Sequence, residues 1–310
     1  MAKSSTIPTY KRTKKRSFGF RAFMILLRVG LALLVFSLVW VAAYRFVPVP
    51  VTATMLMDDN GINKDWEPLE RIDRDMVRAV IGAEDGKFCQ HKGFDWEAIE
   101  KARAQNAKGG RIRGGSTISQ QTAKNVFLWQ GGGYFRKGLE AYFTFLIERM
   151  WGKRRIMEVY LNVAETGIGT YGVAEGAQRY FNHGADSLSP QEAARIAAVL
   201  PLPKERPGKN PSGFTARYGG TISARIGQVR RDGLDACVYE DGGATDGGGQ
   251  AAPAAPAPRQ NAPEPQSAEE PVVEETPVEE PVEEVPVEEA PETAPVEAPV
   301  ETPPASETPS

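Results

Sequence analysis

Histidine and cysteine are nearly missing from this sequence: two of each among 310 residues, His91, His183, Cys89 and Cys237. So few make a zinc site with four protein ligands all but excluded. A Cys/His nucleophile pair at Cys89 and His91 is disfavoured, because residues two apart point to different sides of a helix and no third orienting group is evident. One disulfide could form outside the cytosol, and the sequence does not decide whether it does. Charge is missing by region. No acid precedes Asp58, and no Lys or Arg follows Arg259. Fifteen glutamates lie between Glu264 and Glu307, so the net charge of −3 averages unlike pieces; without that tail the chain carries about +12. A folded part so basic needs an anionic partner, and nucleic acid, phospholipid headgroups and phosphorylated substrates are the usual classes.

What is present divides the chain. Residues 1–21 are a basic segment with Lys3, Lys11, Arg12, Lys14, Lys15, Arg16 and Arg21. Residues 22–44, AFMILLRVGLALLVFSLVWVAAY, are long enough to cross a hydrocarbon core of about 30 Å as a helix. The positive flank stays in the cytoplasm, so the chain beyond this helix is exported. A cleaved signal peptide competes with this reading, but the run is long for one and ends on bulky Arg45 and Phe46, which favours an uncleaved anchor. Residues 45–66 read as a linker, since Pro48 and Pro50 keep Val47 to Thr54 extended.

Residues 67–240 form the expected globular domain, and its pattern is overwhelmingly helical. Helices are predicted over Asp73 to Ala83, Asp95 to Ala107, Gln120 to Leu128, Phe135 to Trp151, Arg154 to Asn162, Val173 to Tyr180, Pro190 to Leu200 and Arg217 to Ala236. Residues 241–310 are rich in Gly, then Ala and Pro, then Pro, Val and Glu; such a segment buries no core and reads as a disordered arm.

The chemistry concentrates in a few stretches. In Val77 to Gly93, VRAVIGAEDGKFCQHKG, Glu84 continues the apolar stripe of Val77, Val80 and Ile81. A carboxylate on that buried side loses solvation, which raises its pKa towards the range of a general base. The bland alternative is a satisfied ion pair or a helix C-terminal carboxylate near Lys87. In GGSTISQQTAKN, Gly114 and Gly115 let the backbone approach a ligand, Ser116 and Thr117 can cap the next helix, and its amides favour an anion. It is not a Walker A loop, because Gly115 and Ser116 stand where Lys and Ser/Thr are required. Gln120, Gln121 and Lys124 then share one helical turn and can present two amides and a cation. In FRKGLEAYFTFLIERMW, Lys137 and Glu140 stand three apart, which by itself is an ordinary surface ion pair. Lys153, Arg154 and Arg155 open a helix whose dipole they oppose, so another anion should face them. Phe127, Leu128, Trp129, Tyr134 and Phe135 flank Gly131 to Gly133 and read equally as interfacial aromatics or as core.

AEDGKFCQHKG resembles the E-D-x-x-F-x-x-H-x-G motif of the peptidoglycan glycosyltransferase family that polymerises lipid II. GGSTISQQTAKN, RKGLE, KRRIMEVYLN and GTYGVAEGAQRYF look like its other motifs, in its order, across Glu67 to Pro203. The LW pair before RKGLE and the ETGIGTYGV wording look most similar to its monofunctional biosynthetic transglycosylase branch. The bifunctional relatives append a transpeptidase domain, and no Ser-x-x-Lys or Lys-Thr-Gly occurs here.

The resemblance implies a mainly α, lysozyme-like glycosyltransferase domain with a small membrane-proximal lobe, preceded by one transmembrane helix. Glu84 would take the proton from the 4-hydroxyl of the acceptor N-acetylglucosamine, and the donor chain would leave its undecaprenyl pyrophosphate with inversion. Lys124 and Lys137 match pyrophosphate positions. Glu140 matches the second essential carboxylate, orienting the donor or a divalent ion. Gln121 and Ser116 match substrate-lining positions, beside Gln120 and Thr117, while Asp85, Phe88 and His91 support the site. Relatives commonly carry an arginine where this chain has Gly131 to Gly133, which shifts phosphate binding towards Arg136 and the two lysines. No cofactor is strictly implied, and Mg2+ or Mn2+ at Glu140 is the candidate. The implied partners are lipid II, the nascent glycan, the membrane and other cell-wall synthesis or division proteins, with no nucleic acid. The implied location is the bacterial inner membrane, single-pass, with the catalytic domain periplasmic. The rivals are a lytic transglycosylase or lysozyme-like hydrolase, which has no use for a lysine-lined pyrophosphate site, and a non-enzymatic wall-binding scaffold. A nucleotide-sugar transferase using Asp73 and Asp75 as a metal pair is weaker, because Asp73 makes a better helix cap.

Overall fold

In the computed structural model, which describes residues 18–109 and 114–239, the apolar run is one continuous helix, α1 (Phe18–Tyr44). The basic stretch before Phe18 and the acidic tail lie outside the described residues. Helix α1 begins before the expected Ala22 because Phe18, Gly19 and Phe20 extend the apolar run past the lone Arg21. Its 27 residues rise about 40 Å, enough to span a hydrocarbon core. Phe23, Leu26 and Leu33 project outward without protein cover, so α1 fits a membrane anchor.

The last two turns of α1 are docked on the rest of the molecule. Ser37 Oγ meets the Tyr142 hydroxyl at 2.7 Å, and the Trp151 indole N–H donates to the Val41 carbonyl at 2.7 Å. The guanidinium of Arg155 closes the exit by donating to the Tyr44 carbonyl at 2.9 Å. The segment expected as a free linker, 45–66, is partly built into the fold. Val49 and Met55 are fully buried, α2 (Ala53–Leu56) is capped by Thr52, and β1 (Asn63–Lys64) joins a three-stranded sheet. The prolines do keep the stretch between α1 and α2 extended; apolar side chains on either side of them then find the core.

Helix α3 (Arg74–Glu84) is capped by Asp73, which accepts from the Asp75 N–H at 2.8 Å, and Val77, Val80 and Ile81 form its fully buried stripe. Asp75 faces Arg78 and Arg230, so neither aspartate is arranged as a metal pair. Helix α4 (Trp96–Asn106) buries none of its residues. Next in the chain are α5 (Ile118–Phe127), α6 (Gly133–Met150) and α7 (Lys153–Val163). Strand β2 (Glu165–Gly167) runs antiparallel to β3 (Thr170–Tyr171), which pairs in parallel with β1 through Asn63 opposite Thr170. Helices α8 (Val173–Phe181), α9 (Pro190–Val199) and α10 (Gly213–Arg231) complete the described chain. Helix α10 lies earlier than the expected Arg217 to Ala236, because Asp232 and Gly233 end it.

Two helical groups result. Helix α10 packs on α9 and α3, while α5 packs on α6 and α7. The cations that open α7 face protein rather than an outside anion. Lys153 pairs with Glu148 and lies over Phe88, Arg154 pairs with Glu70, and Arg155 pairs with Glu158. A disulfide joins Cys89, just beyond α3, to Cys237 beyond α10, with Cα atoms 5.4 Å apart.

Candidate active site

Glu84 is the last residue of α3, so its carboxylate stands where the first helical group meets the second. Its Oε2 accepts from the Gln121 Nε2 of α5 at 2.9 Å. Lys87, the bland partner considered for it, pairs instead with Glu97. The Glu84 side chain keeps some accessible surface yet is packed among protein on most sides. Burial pushes its pKa up. The Gln121 hydrogen bond and the charges of Arg206 and Lys124 act against that rise, and the charge of Asp85 adds to it.

Gln121 is held from both ends, since its Oε1 accepts from the Tyr160 hydroxyl at 3.4 Å. Burial raises the Tyr160 pKa well above its usual value, so that hydroxyl stays a donor and turns the amide N–H of Gln121 towards Glu84. Gln121, Lys124, Asn125, Tyr160 and Glu165 line one polar cavity of about 220 Å³. Burial lowers the Lys124 pKa, and the charge of Glu140 opposes that shift. Lys124 thus acts electrostatically on both carboxylates, Glu84 and Glu140.

Glu140 is only 3% exposed and takes the Arg136 guanidinium at 2.9 Å and the Lys137 ammonium on its two oxygens. Lys137 Nζ also donates to Ser116 Oγ at 3.2 Å. The expected ion pair of Lys137 and Glu140 is therefore part of a cluster in which Arg136 also bonds the buried carboxylate, while the Lys137 side chain stays exposed. The glycine loop makes room for it. Gly132 sits at φ +82°, where a Cβ would lie 3.0 Å from the Arg136 Cβ, and Arg136 donates to the Gly131 carbonyl.

Two expected substrate contacts are occupied otherwise. Thr117 caps α5 and Gln120 returns the bond to the Thr117 N–H at 3.1 Å, a complete capping box with both residues buried. Neither faces the cavity, whereas Ser116 and Gln121 do lie with the charged groups. Asp85, Phe88 and His91, expected as supports, are held by contacts within the protein. Asp85 accepts from the Ile118 N–H at 3.0 Å and faces His91 Nε2 at 3.0 Å. The other ring nitrogen, Nδ1, accepts from the Gly93 N–H, which assigns the proton to Nε2 and makes it the donor to Asp85. Phe88 is fully buried. The residues flanking the glycine loop divide: Phe127 and Leu128 are core and Trp129 packs against it, while Tyr134 and Phe135 are 98% and 73% exposed.

Arg206 and Tyr160 are not legible as site residues in the sequence. Tyr160 sits in a motif that stands out for its cations, and Arg206 stands in a proline-rich stretch with no local signal, brought to Glu84 only by tertiary folding. Among the described residues no group of three His, Cys, Asp or Glu could hold a metal ion. With both oxygens of Glu140 already facing cations, the residues do not fit a protein-held Mg2+ or Mn2+ there.

The family model described as Transglycosylase matches residues 51–223. The chain belongs to the transglycosylase family. It is 50% identical over 217 residues to a biosynthetic peptidoglycan transglycosylase of Caulobacter vibrioides, an alignment covering 69% of this chain and 95% of that one. A protein of the same description from Rhodospirillum centenum is 47% identical, covering 68% and 92%, and one from Bdellovibrio bacteriovorus is 46% identical, covering 69% and 90%. The mainly helical, lysozyme-like transglycosylase domain after one apolar helix is thereby established, and the chain is an enzyme of the glycosyltransferase kind. The matched range starts at Val51, inside the segment expected as linker, in keeping with its buried residues.

Proposed function

We propose that this transglycosylase polymerises lipid II: Glu84 removes the proton from the acceptor's sugar hydroxyl while Lys124, Lys137 and Arg136 hold the departing diphosphate of the donor. The observation that carries this is the joining of base and cations through α5. Gln121 touches Glu84, and Lys124, one turn on, lies in the same cavity and acts on Glu140. A buried carboxylate with a raised pKa is a stronger base at neutral pH than an exposed one. The hydroxyl oxygen freed of its proton attacks the anomeric carbon of the donor chain. The bond to the diphosphate oxygen breaks on the opposite face, and the configuration inverts. The negative charge that develops there meets fixed cations, which need no reorganisation. Glu140 aims Arg136 and Lys137 by ion pairing.

The anchor supports a membrane-bound enzyme, and the basic flank before Phe18 supports a cytoplasmic N-terminus with the domain outside the inner membrane. The Cys89–Cys237 disulfide agrees with an oxidising compartment. Cell-wall synthesis or division proteins are the partners such a location offers. The deciding experiment is incorporation of labelled lipid II by the wild type and by Glu84→Gln and Glu140→Gln variants, with and without chelator. Turnover should fall about 10²- to 10⁴-fold in Glu84→Gln and by a comparable factor in Glu140→Gln, with folding retained. Undiminished polymer from Glu84→Gln would overturn the assignment of the base.

A further inference from the structure

A second cleft, of about 390 Å³, opens between β2 and α8 on one side and residues 203–209 on the other. Four cations line it, Arg179, Lys204, Arg206 and Lys209, against one acid, Glu205. Lys204 is balanced by Asp58 at 3.1 Å. Arg179 is held by the Ile168 carbonyl at 2.9 Å and by the Thr170 hydroxyl, neutral acceptors that aim its charge without cancelling it. Arg206 donates to the Ala198 carbonyl at 3.0 Å and its guanidinium lies 4.9 Å from the Phe214 ring centroid. Lys209 is exposed.

The aromatic part of the cleft is preformed. The Tyr180 hydroxyl donates to the Thr166 carbonyl, and its ring is pressed so closely on the chain that a Cβ at Gly208 would come within 2.4 Å of it. A rigid, partly aromatic cleft with surplus positive charge suits an organic anion better than a small hydrated ion.

Its position narrows the choice. Pro203 lines both this cleft and the polar cavity beside Gln121 and Lys124, and the charge of Arg206 is felt at Glu84. The cleft therefore adjoins the cavity lined by Gln121, whose amide bonds Glu84. The lining includes none of the residues that seat the anchor helix, Phe127, Tyr142, Trp151 and Arg155. Nor does it include Lys124, Arg136 or Lys137, the cations proposed for the diphosphate, so the anion suited to this cleft is a different one. We propose that this cleft binds a carboxylate of the peptide arm borne by the sugar unit at Glu84, making Arg179 and Lys209 specificity residues for peptide-bearing substrate.

This inference rests on the reading of Glu84 as the base, and its test separates the two. The full-length protein in lipid vesicles is given either lipid-linked disaccharide with its natural peptide or the same compound with every peptide carboxylate amidated. Lys209→Gln should raise KM for the natural substrate about 3- to 10-fold, the range of one partly exposed charge-assisted hydrogen bond. Its kcat should stay within about twofold, since the cleft holds no reacting atom. On the amidated substrate, wild type and variant should have equal KM. Arg179→Gln should behave likewise; because it also loses bonds to the β2–β3 turn, its result is read together with a thermal melt. Equal KM for wild type and Lys209→Gln on the natural substrate would overturn the proposal. So would a rise of the same size on both substrates, which would point to the diphosphate. Absence of polymer from wild type on both substrates would overturn the proposed function and this proposal with it.

Discussion

At Glu84, ionisation is opposed by burial and favoured by the amide of Gln121. A hydrogen bond donated to a carboxylate stabilises its charged form, so removing the donor while keeping the site dry must raise the pKa further. Gln121→Leu keeps most of the volume and removes the N–H. The acid limb of its kcat/KM profile should lie at higher pH than that of the wild type; a limb that stays put or moves down would show that Gln121 does not control the base. The same physics bears on stability. A group whose folded pKa is raised binds its proton more tightly in the folded state, so stability is lost as pH rises through the raised value and Glu84 ionises. Glu84→Gln cannot ionise and escapes that loss. Thermal melts between about pH 5 and 8 should show the variant gaining on the wild type as pH rises, even though its turnover is gone.

Among the elements, α3 and the chain beyond α10 are bound together twice. Arg78, 1% exposed, bonds Asp235 at 2.9 Å, and two residues later Cys237 is bridged to Cys89. The bridge spans 148 residues and therefore restricts a long loop of the unfolded chain. Cys237→Ser, or reduction of the wild type, should lower the unfolding free energy by about 2–5 kcal/mol in denaturant titrations. With the bridge gone, the segment after Glu84 is still held by Asp85 on the Ile118 N–H and by the buried Phe88. The sequence foretells the helices well because each has a local reason: the stripe of Val77, Val80 and Ile81, the cap at Asp73, the glycines before α6. It does not foretell what depends on distant partners. Thr117 and Gln120 look like ligand groups because a polar residue at a helix start can face inward or outward, and only the capping box decides. Arg154 looks in need of an outside anion because its partner, Glu70, is brought to it only by packing, whereas Glu148 and Glu158 are near in sequence to Lys153 and Arg155 and are there to be read. Glu84, Lys124 and Glu140 are legible by their motifs, whereas their meeting point is not.

For the whole molecule, the pairing of α1 with α6 sets what faces the bilayer. Val41 meets Trp151 and Ser37 meets Tyr142, so the two helices run in the same direction, and moving towards the N-terminus of α6 means moving towards the membrane-spanning part of α1. Phe135 stands seven residues before Tyr142, about 10 Å further along that course. With α1 as the proposed anchor, the exposed Tyr134 and Phe135 lie towards the bilayer, where aromatic rings are favoured at the level of the headgroups. Arg136 and Lys137 follow them directly, so the cations proposed for the diphosphate lie next to the surface from which a lipid-linked donor arrives. Replacing both aromatics with alanine should leave the melting temperature within about 2 °C, since exposed side chains contribute little to folding. Turnover in vesicles should fall about 3- to 10-fold, because the start of α6 loses its hold on the interface and the site its height above the lipid. Amide exchange at residues 133–136 gives the independent reading: slowed by vesicles in the wild type and not in the double variant. A lowered melting temperature with unchanged exchange would instead make the pair a packing element of α6, and the direction of α1 against α6 would then say nothing about how the donor reaches Lys137.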